Sequence, residues 1–193
     1  GYVHALDVSG SNLYVGGEFT TIGGASRNRI AAIDISSATA TTWNPNANNA
    51  VYTLQVRGNN IYVGGSFSNI GGANITRAAR VDLTSAAADS WNPNANSDVR
   101  SLALSPDGSV VYVGGYFSMI GAQAKSNLAA LDATTDALQS WNPSPNFSVS
   151  ALAVSGSSVY VGGGFTSIGG QARNYFAAID GTTGLATGWN PSS

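Results

Sequence analysis

Apolar and polar residues alternate along Val51-Tyr52-Thr53-Leu54-Gln55-Val56, and the run is rich in β-branched and aromatic types, so it predicts a strand. Arg57-Gly58-Asn59-Asn60 predicts a turn, because Gly and Asn accept positive φ. Ile61-Tyr62-Val63 predicts a second strand, joined to the first as a hairpin, and Gly64-Gly65 ends it. Paired glycines there allow a bulge or a close approach of backbone. A long connection over 67–76 contains Gly71-Gly72, and a third strand is predicted over 77–83. After a turn at 84–87, Asp89-Ser90-Trp91 begins a short fourth strand, which Pro93 stops because it lacks an N–H.

The same succession occurs four times. Its markers are Leu13-Tyr14-Val15-Gly16-Gly17, Ile61-Tyr62-Val63-Gly64-Gly65, Val111-Tyr112-Val113-Gly114-Gly115 and Val159-Tyr160-Val161-Gly162-Gly163. Each is followed by a Phe, an Ile-Gly, an apolar run ending in Asp, and Trp-Asn-Pro. The tryptophans at 43, 91, 141 and 189 set a step of about 50 residues, the scale of stacked or radial repeats. Four short antiparallel strands per step make the blade of a β-propeller. The expected fold is therefore all-β, a propeller of four tandem four-stranded blades at about 1–49, 50–97, 98–147 and 148–193, in a single domain over 1–193. Helix is disfavoured, since no segment holds a 3.6-residue apolar period. A straight β-solenoid is the competing architecture, but it uses shorter, even coils.

Within a repeat, the alanines at 31, 32, 78, 79, 129, 130, 177 and 178 allow close packing, and the repeated Tyr, Phe and Trp supply bulk. Asp34, Asp82, Asp132 and Asp180 each end a strand and are expected to cap a turn by accepting backbone N–H bonds. One carboxylate per repeat makes a poor cation cage, so no metal is expected.

Composition narrows the chemistry. Charged residues make up only 9% of the 193, net charge is -2, and no basic run exists, which argues against nucleic acid as a partner. There is no Cys, and no apolar stretch reaches the roughly 20 residues of a membrane span. A surface of Ser, Thr, Asn and Gly with so few charges suggests an extracellular or cell-surface protein. Asn74-Ile75-Thr76 and Asn146-Phe147-Ser148 are N-glycosylation sequons, making Asn74 and Asn146 candidate sites. The expectation that the chain holds whole repeats, with no split blade to clasp a ring, leaves three assemblies open: a closed four-bladed ring, two chains forming eight blades, or part of a longer polymer.

The run Val-Tyr-Val-Gly-Gly-x-Phe-x-x-Ile-Gly-Gly, then Arg-Asn-x-x-Ala-Ala-Ile-Asp, then Trp-Asn-Pro, resembles the Delta-60-type β-propeller repeats of large bacterial and archaeal surface or secreted proteins. A fungal cell-polarity cortical marker carries similar repeats, and the Gly-Gly with a later Trp is similar to kelch repeats. The resemblance spans nearly the whole chain and implies a propeller, with no catalytic residues to carry over. Departures are local: Gly121-Ala122 replaces Gly-Gly, Ile75-Thr76-Arg77 replaces Arg27-Asn28-Arg29, and the third hairpin is lengthened through Ser105-Pro106-Asp107-Gly108.

Catalytic groups are scarce, with one His, one Glu and one Lys. His4 is the only imidazole available to a triad, and nothing pairs Glu18 with Asp7 as glycosidase carboxylates would be paired. Sites are sought where the copies differ. Two residues before Leu6, Leu54, Leu102 and Leu152 stand His4, Tyr52, Arg100 and Ser150; one residue after stand Asp7, Gln55, Ala103 and Ala153. On an innermost strand, His4, Tyr52, Arg100, Ser150, Asp7 and Gln55 would form a polar axial ring that grips a ligand or merely solvates a channel mouth. A second variable set is Glu18, Ser66, Tyr116 and Gly164; a third is Arg27, Ile75, Lys125 and Arg173. By kelch analogy one loop face would present Asn46, Asn48, Asn94 and Asn96 with these bases, suited to carbohydrate hydroxyls or serving only as turn chemistry. The expected function is a non-enzymatic structural or interaction scaffold, self-assembling with other chains, without a cofactor. A lectin-like glycan-binding module is the alternative, and an enzyme with an axial site a distant third.

Overall fold

The strands form where alternation and turn residues place them. In the computed structural model, which describes residues 1–191, the first sheet holds β1 (Val3–Ser9) and β2 (Asn12–Gly17). A small hairpin of β3 (Thr21–Ile22) and β4 (Ala25–Ser26) follows, then β5 (Ile30–Asp34). The order is β1-β2-β5, antiparallel throughout. The second sheet is β6 (Val51–Arg57), β7 (Asn60–Gly65) and β8 (Ala78–Asp82). The third is β9 (Val99–Leu104), β10 (Val110–Gly115) and β13 (Leu128–Asp132), with the separate hairpin β11 (Met119–Ile120) and β12 (Gln123–Ala124) between β10 and β13 in sequence. The fourth repeats the plan with β14 (Val149–Ser155), β15 (Ser158–Gly163) and β18 (Phe176–Asp180), again with a separate hairpin, β16 (Ser167–Ile168) and β17 (Gln171–Ala172). No helix occurs among the described residues.

The anticipated fourth strand is cut to a single bridge in each repeat: Ile33 with Ala40, Val81 with Ala88, Leu131 with Leu138 and Ile179 with Ala186. The cause is local. The Trp43 amide donates to the Thr41 hydroxyl and the Trp91 amide to the Asp89 carboxylate, so the backbone leaves the ladder at the tryptophan.

The aspartates behave as expected. Asp34 Oδ1 accepts the amides of Ser36 and Ser37, and Asp82, Asp132 and Asp180 accept the two equivalent amides at 2.6–3.0 Å. These bonds hold the carboxyls of Asp34, Asp82 and Asp180 below the usual aspartate range.

The paired glycines make both a bulge and a close approach. The register shifts between Val3 and Ala5 opposite Gly16 and Gly17, and the Glu18 amide donates to the Tyr2 carbonyl. A Cβ on Gly17, Gly65, Gly115 or Gly163 would sit 2.1 Å from the carbonyl oxygen of Tyr2, Ala50, Asp98 or Ser148, so no side chain fits there.

The chain divides into two compact units, Gly1–Asn92 and a second beginning at Pro93, each holding two of the three-stranded sheets. In the first unit the core gathers Tyr14, Trp43, Val51, Phe67 and Ala79; in the second it gathers Tyr112, Trp141, Val149, Phe165 and Ala177. In every repeat the Tyr of the second strand meets the later Trp edge to face, at 5.0–5.4 Å between ring centres. Within each unit that Trp also reaches the next sheet: Trp43 Nε1 donates to the Asp82 carbonyl and Trp141 Nε1 to the Asp180 carbonyl.

Candidate functional site

The Asn-rich connections carry the polar surface of both units. Asn46, Asn94 and Ser144 hold the same left-handed backbone position (φ 54°, 51° and 45°), which Asn tolerates better than most residues. Two residues on, the side chains are committed. Asn48 Oδ1 accepts the amides of Ser68 and Asn69 at 2.9 and 3.1 Å, while its Nδ2 donates to the Ser68 hydroxyl. Asn96 brackets Ser118 and Met119 in the same way, and Asn146 brackets Thr166 and Ser167. Both acceptor positions of each carboxamide are used, so these three residues fasten a connection to the following repeat. The Asn146 sequon falls on such a bracket. Asn74 is exposed, and its Oδ1 accepts from Asn69.

The first of these brackets borders an open cleft of about 500 Å³ in the first unit, lined by Asn28, Arg29, Asn46, Ala47, Asn48 and Asn69. Asn28 Nδ2 donates to Asn46 Oδ1 at 2.7 Å.

The bases expected on this face are turned inward instead. Arg27 donates to the Thr41 carbonyl, Arg173 to the Thr187 carbonyl at 3.0 Å, and Lys125 Nζ to the Trp141 carbonyl at 2.9 Å. Lys125 is buried, which pulls its pKa down, and the matching Ile75 is buried too. The position is a plug under the loop.

Residues of the anticipated axial ring are placed unit by unit. In the first, the His4 and Tyr52 rings lie 5.4 Å apart, and His4 Nε2 is 3.0 Å from Glu18 Oε1. Asp7 Oδ2 accepts the Val56 amide at 2.7 Å, tying β1 to β6, and Gln55 is half-buried on β6. In the second, the Arg100 guanidinium sits 5.1 Å from the centre of the Tyr116 ring, and Ser150 is exposed on β14. Two sets that the sequence kept apart thus meet: the first-strand residue touches the residue after Gly-Gly, as His4 with Glu18 and Arg100 with Tyr116. The bulge brings them together, and it is written in the glycines. His4, Glu18 and Tyr116 are exposed and Arg100 is half-buried, so each pair can meet a polar group from solvent. Among the described residues no group of three or more His, Cys, Asp or Glu could hold a metal ion.

This geometry has known counterparts. Residues 12–31 match the family described as a domain of unknown function (DUF5122) β-propeller. No curated protein matches the chain. Among solved structures, the computationally designed Ika4 protein is 16% identical, with a TM-score of 0.62 over 93% of this chain and 91% of that one. A chain of the Mitotic Checkpoint Complex is 20% identical, with a TM-score of 0.67 over 96% of this chain and 49% of that one. The computationally designed Ika8 protein is 15% identical, with a TM-score of 0.60 over 95% of this chain and 60% of that one. The chain therefore spans about half of the checkpoint-complex chain and three-fifths of Ika8. At these identities the likeness establishes fold: this is an all-β protein of the β-propeller class.

Proposed function

We propose that the chain is a non-enzymatic structural and interaction scaffold of a secreted or cell-surface protein, built from kelch-like, Delta-60-type repeats and working by assembly with other chains. The observation that carries this reading is where its apolar surface lies. Repeated polar side chains are spent on turns, brackets and plugs inside each unit, while Tyr2, Leu6, Val8, Phe176 and Trp189 remain exposed. Three of these belong to the first unit and two to the second, and exposed clusters of large apolar side chains mark contact sites. The low charge, 9% of residues, leaves little repulsion to oppose association. Sedimentation velocity over a hundredfold concentration range tests the proposal: mass above that of one chain is expected, and a single-chain mass throughout would refute self-assembly.

The Asn28–Asn46 cleft favours a second reading, a glycan-binding module, since amides both donate to and accept from hydroxyls. A glycan array with the native chain and an Asn28→Ala, Asn46→Ala double variant decides it. Hits lost in the variant would support it, and an array without hits would end it.

A further inference from the structure

We infer that the exposed side of the fourth sheet is a socket for the exposed side of the first sheet of a second copy of this chain, reproducing the contact already made inside each unit. The inference rests on the assembly reading above and names its partner and register.

The internal contact supplies the pattern. In the first unit Val51 and Leu54 of β6 press against Gly16 of β2, where an added Cβ would lie 2.6 Å from the Val51 side chain. In the second unit Val149 of β14 presses against Gly114 of β10 in the same way, at 2.5 Å. Each joint is closed by an indole, Trp43 on the Asp82 carbonyl and Trp141 on the Asp180 carbonyl.

Both halves of this joint are left over, one in each unit. On the first sheet the inserting residues are bare: Val3 is 49% exposed where Val51 is 0%, and Leu6 is 59% exposed where Leu54 is 7%. On the fourth sheet the receiving residues are bare. Trp189 is 45% exposed where Trp43 is 6%, and Gly162 has no valine from a following sheet against it. An apolar cleft of about 130 Å³ opens there, lined by residues including Ala151, Ala153, Tyr160, Gly162 and Phe176. That volume suits an aliphatic side chain or two.

The register follows from the repeat. Val3 and Leu6 of one copy enter the cleft beside Gly162 of the other, and Trp189 Nε1 donates to the Asp34 carbonyl. Asp34 holds the position of Asp82 and Asp180, with its turn closed identically by Ala38 N–H, as Ala86 and Gly184 close theirs. The contact is head to tail, which builds rings or open chains.

The test uses three forms of the full chain: native, Leu6→Arg and Ala153→Arg. Both substituted residues are exposed, and circular dichroism melts check that each variant stays folded. Sedimentation should give two chains or more for the native form, one chain for each variant alone, and two chains for their equimolar mixture, where one intact joint survives. Trp189→Phe, which keeps an aromatic ring but removes the donor, should weaken association by about tenfold. Native association that persists in both variants overturns this register while leaving the assembly reading standing. A native chain that never associates overturns both.

Discussion

Trp43 Nε1 donates a 3.0 Å hydrogen bond to the main-chain carbonyl of Asp82, 39 residues further along and in the next sheet. Trp141 and Asp180 repeat the relationship at 2.9 Å, again across 39 residues. Each tryptophan thus serves two repeats: it packs edge on against the tyrosine of its own and bolts onto the turn of its neighbour.

Trp141→Phe keeps a ring but removes the donor, so urea unfolding should show a loss of about 1–3 kcal/mol. Trp189→Phe, where the indole is exposed, should change stability by less than about 0.5 kcal/mol when measured on dilute, unassociated chain.

Gly115→Ala places a methyl group 2.1 Å from the Asp98 carbonyl oxygen, a backbone atom that cannot swing aside as a side chain would. The expected cost is at or beyond the upper end of the ~1–3 kcal/mol typical of overpacking. Gly188→Ala has nothing within 4 Å of the new atom and should fall within about 0.5 kcal/mol of the native chain in the same denaturation series.

Acid should loosen the protein through its turns. Hydrogen bonds from the Ser36 hydroxyl and the Ser37 amide and hydroxyl bring Asp34 down to about 2, and those from Ser105 and Ser109 bring Asp107 to about 2. Because the folded pKa lies below the unfolded value of about 3.9, the folded state binds fewer protons there. The stabilisation is complete above the unfolded value and is lost as pH falls toward the folded one. The urea midpoint should therefore decline between about pH 4 and pH 2, and Asp34→Asn combined with Asp107→Asn should flatten that decline.

Lys125 gives the opposite limb. Burial lowers its pKa, so between the folded value and the unfolded value of about 10.4 the unfolded chain holds the extra proton and stability climbs with pH. Lys125→Ile copies the buried Ile75 of the second repeat. It should abolish that alkaline rise while leaving stability at neutral pH unchanged or increased, as read from melts between pH 7 and 10.

What could be read in advance was whatever repeats within a few residues. The alternation of 51–56, the Gly-Asn turns, the glycine pairs and the strand-ending aspartates each act on their near neighbours, and each does what local sterics and hydrogen bonding require. The Asn brackets have no local signature, because Asn48, Asn96 and Asn146 find partners 20 to 23 residues away in the following repeat. Nothing local separates a bracket from a display residue. Lysine is rarely buried, so Lys125 suggests a surface base, and only its alignment with Ile75 carries the contrary signal. The meetings of His4 with Glu18 and Arg100 with Tyr116 follow from a bulge that the glycines mark, but which side chains it joins depends on the register of the paired strand.

The lengthened hairpin of the third repeat shows how much change this architecture absorbs. Ser105 and Ser109 clasp Asp107 across the inserted turn, yet Val110 still pairs with Asp132 as Asn12 does with Asp34 and Ser158 with Asp180. Extra length at that tip is quarantined from the ladder below. The tips between the first two strands of each sheet are thus natural grafting points, where a foreign epitope or enzyme tag can be spliced in and carried on the outside without rewriting the rest of the sheet.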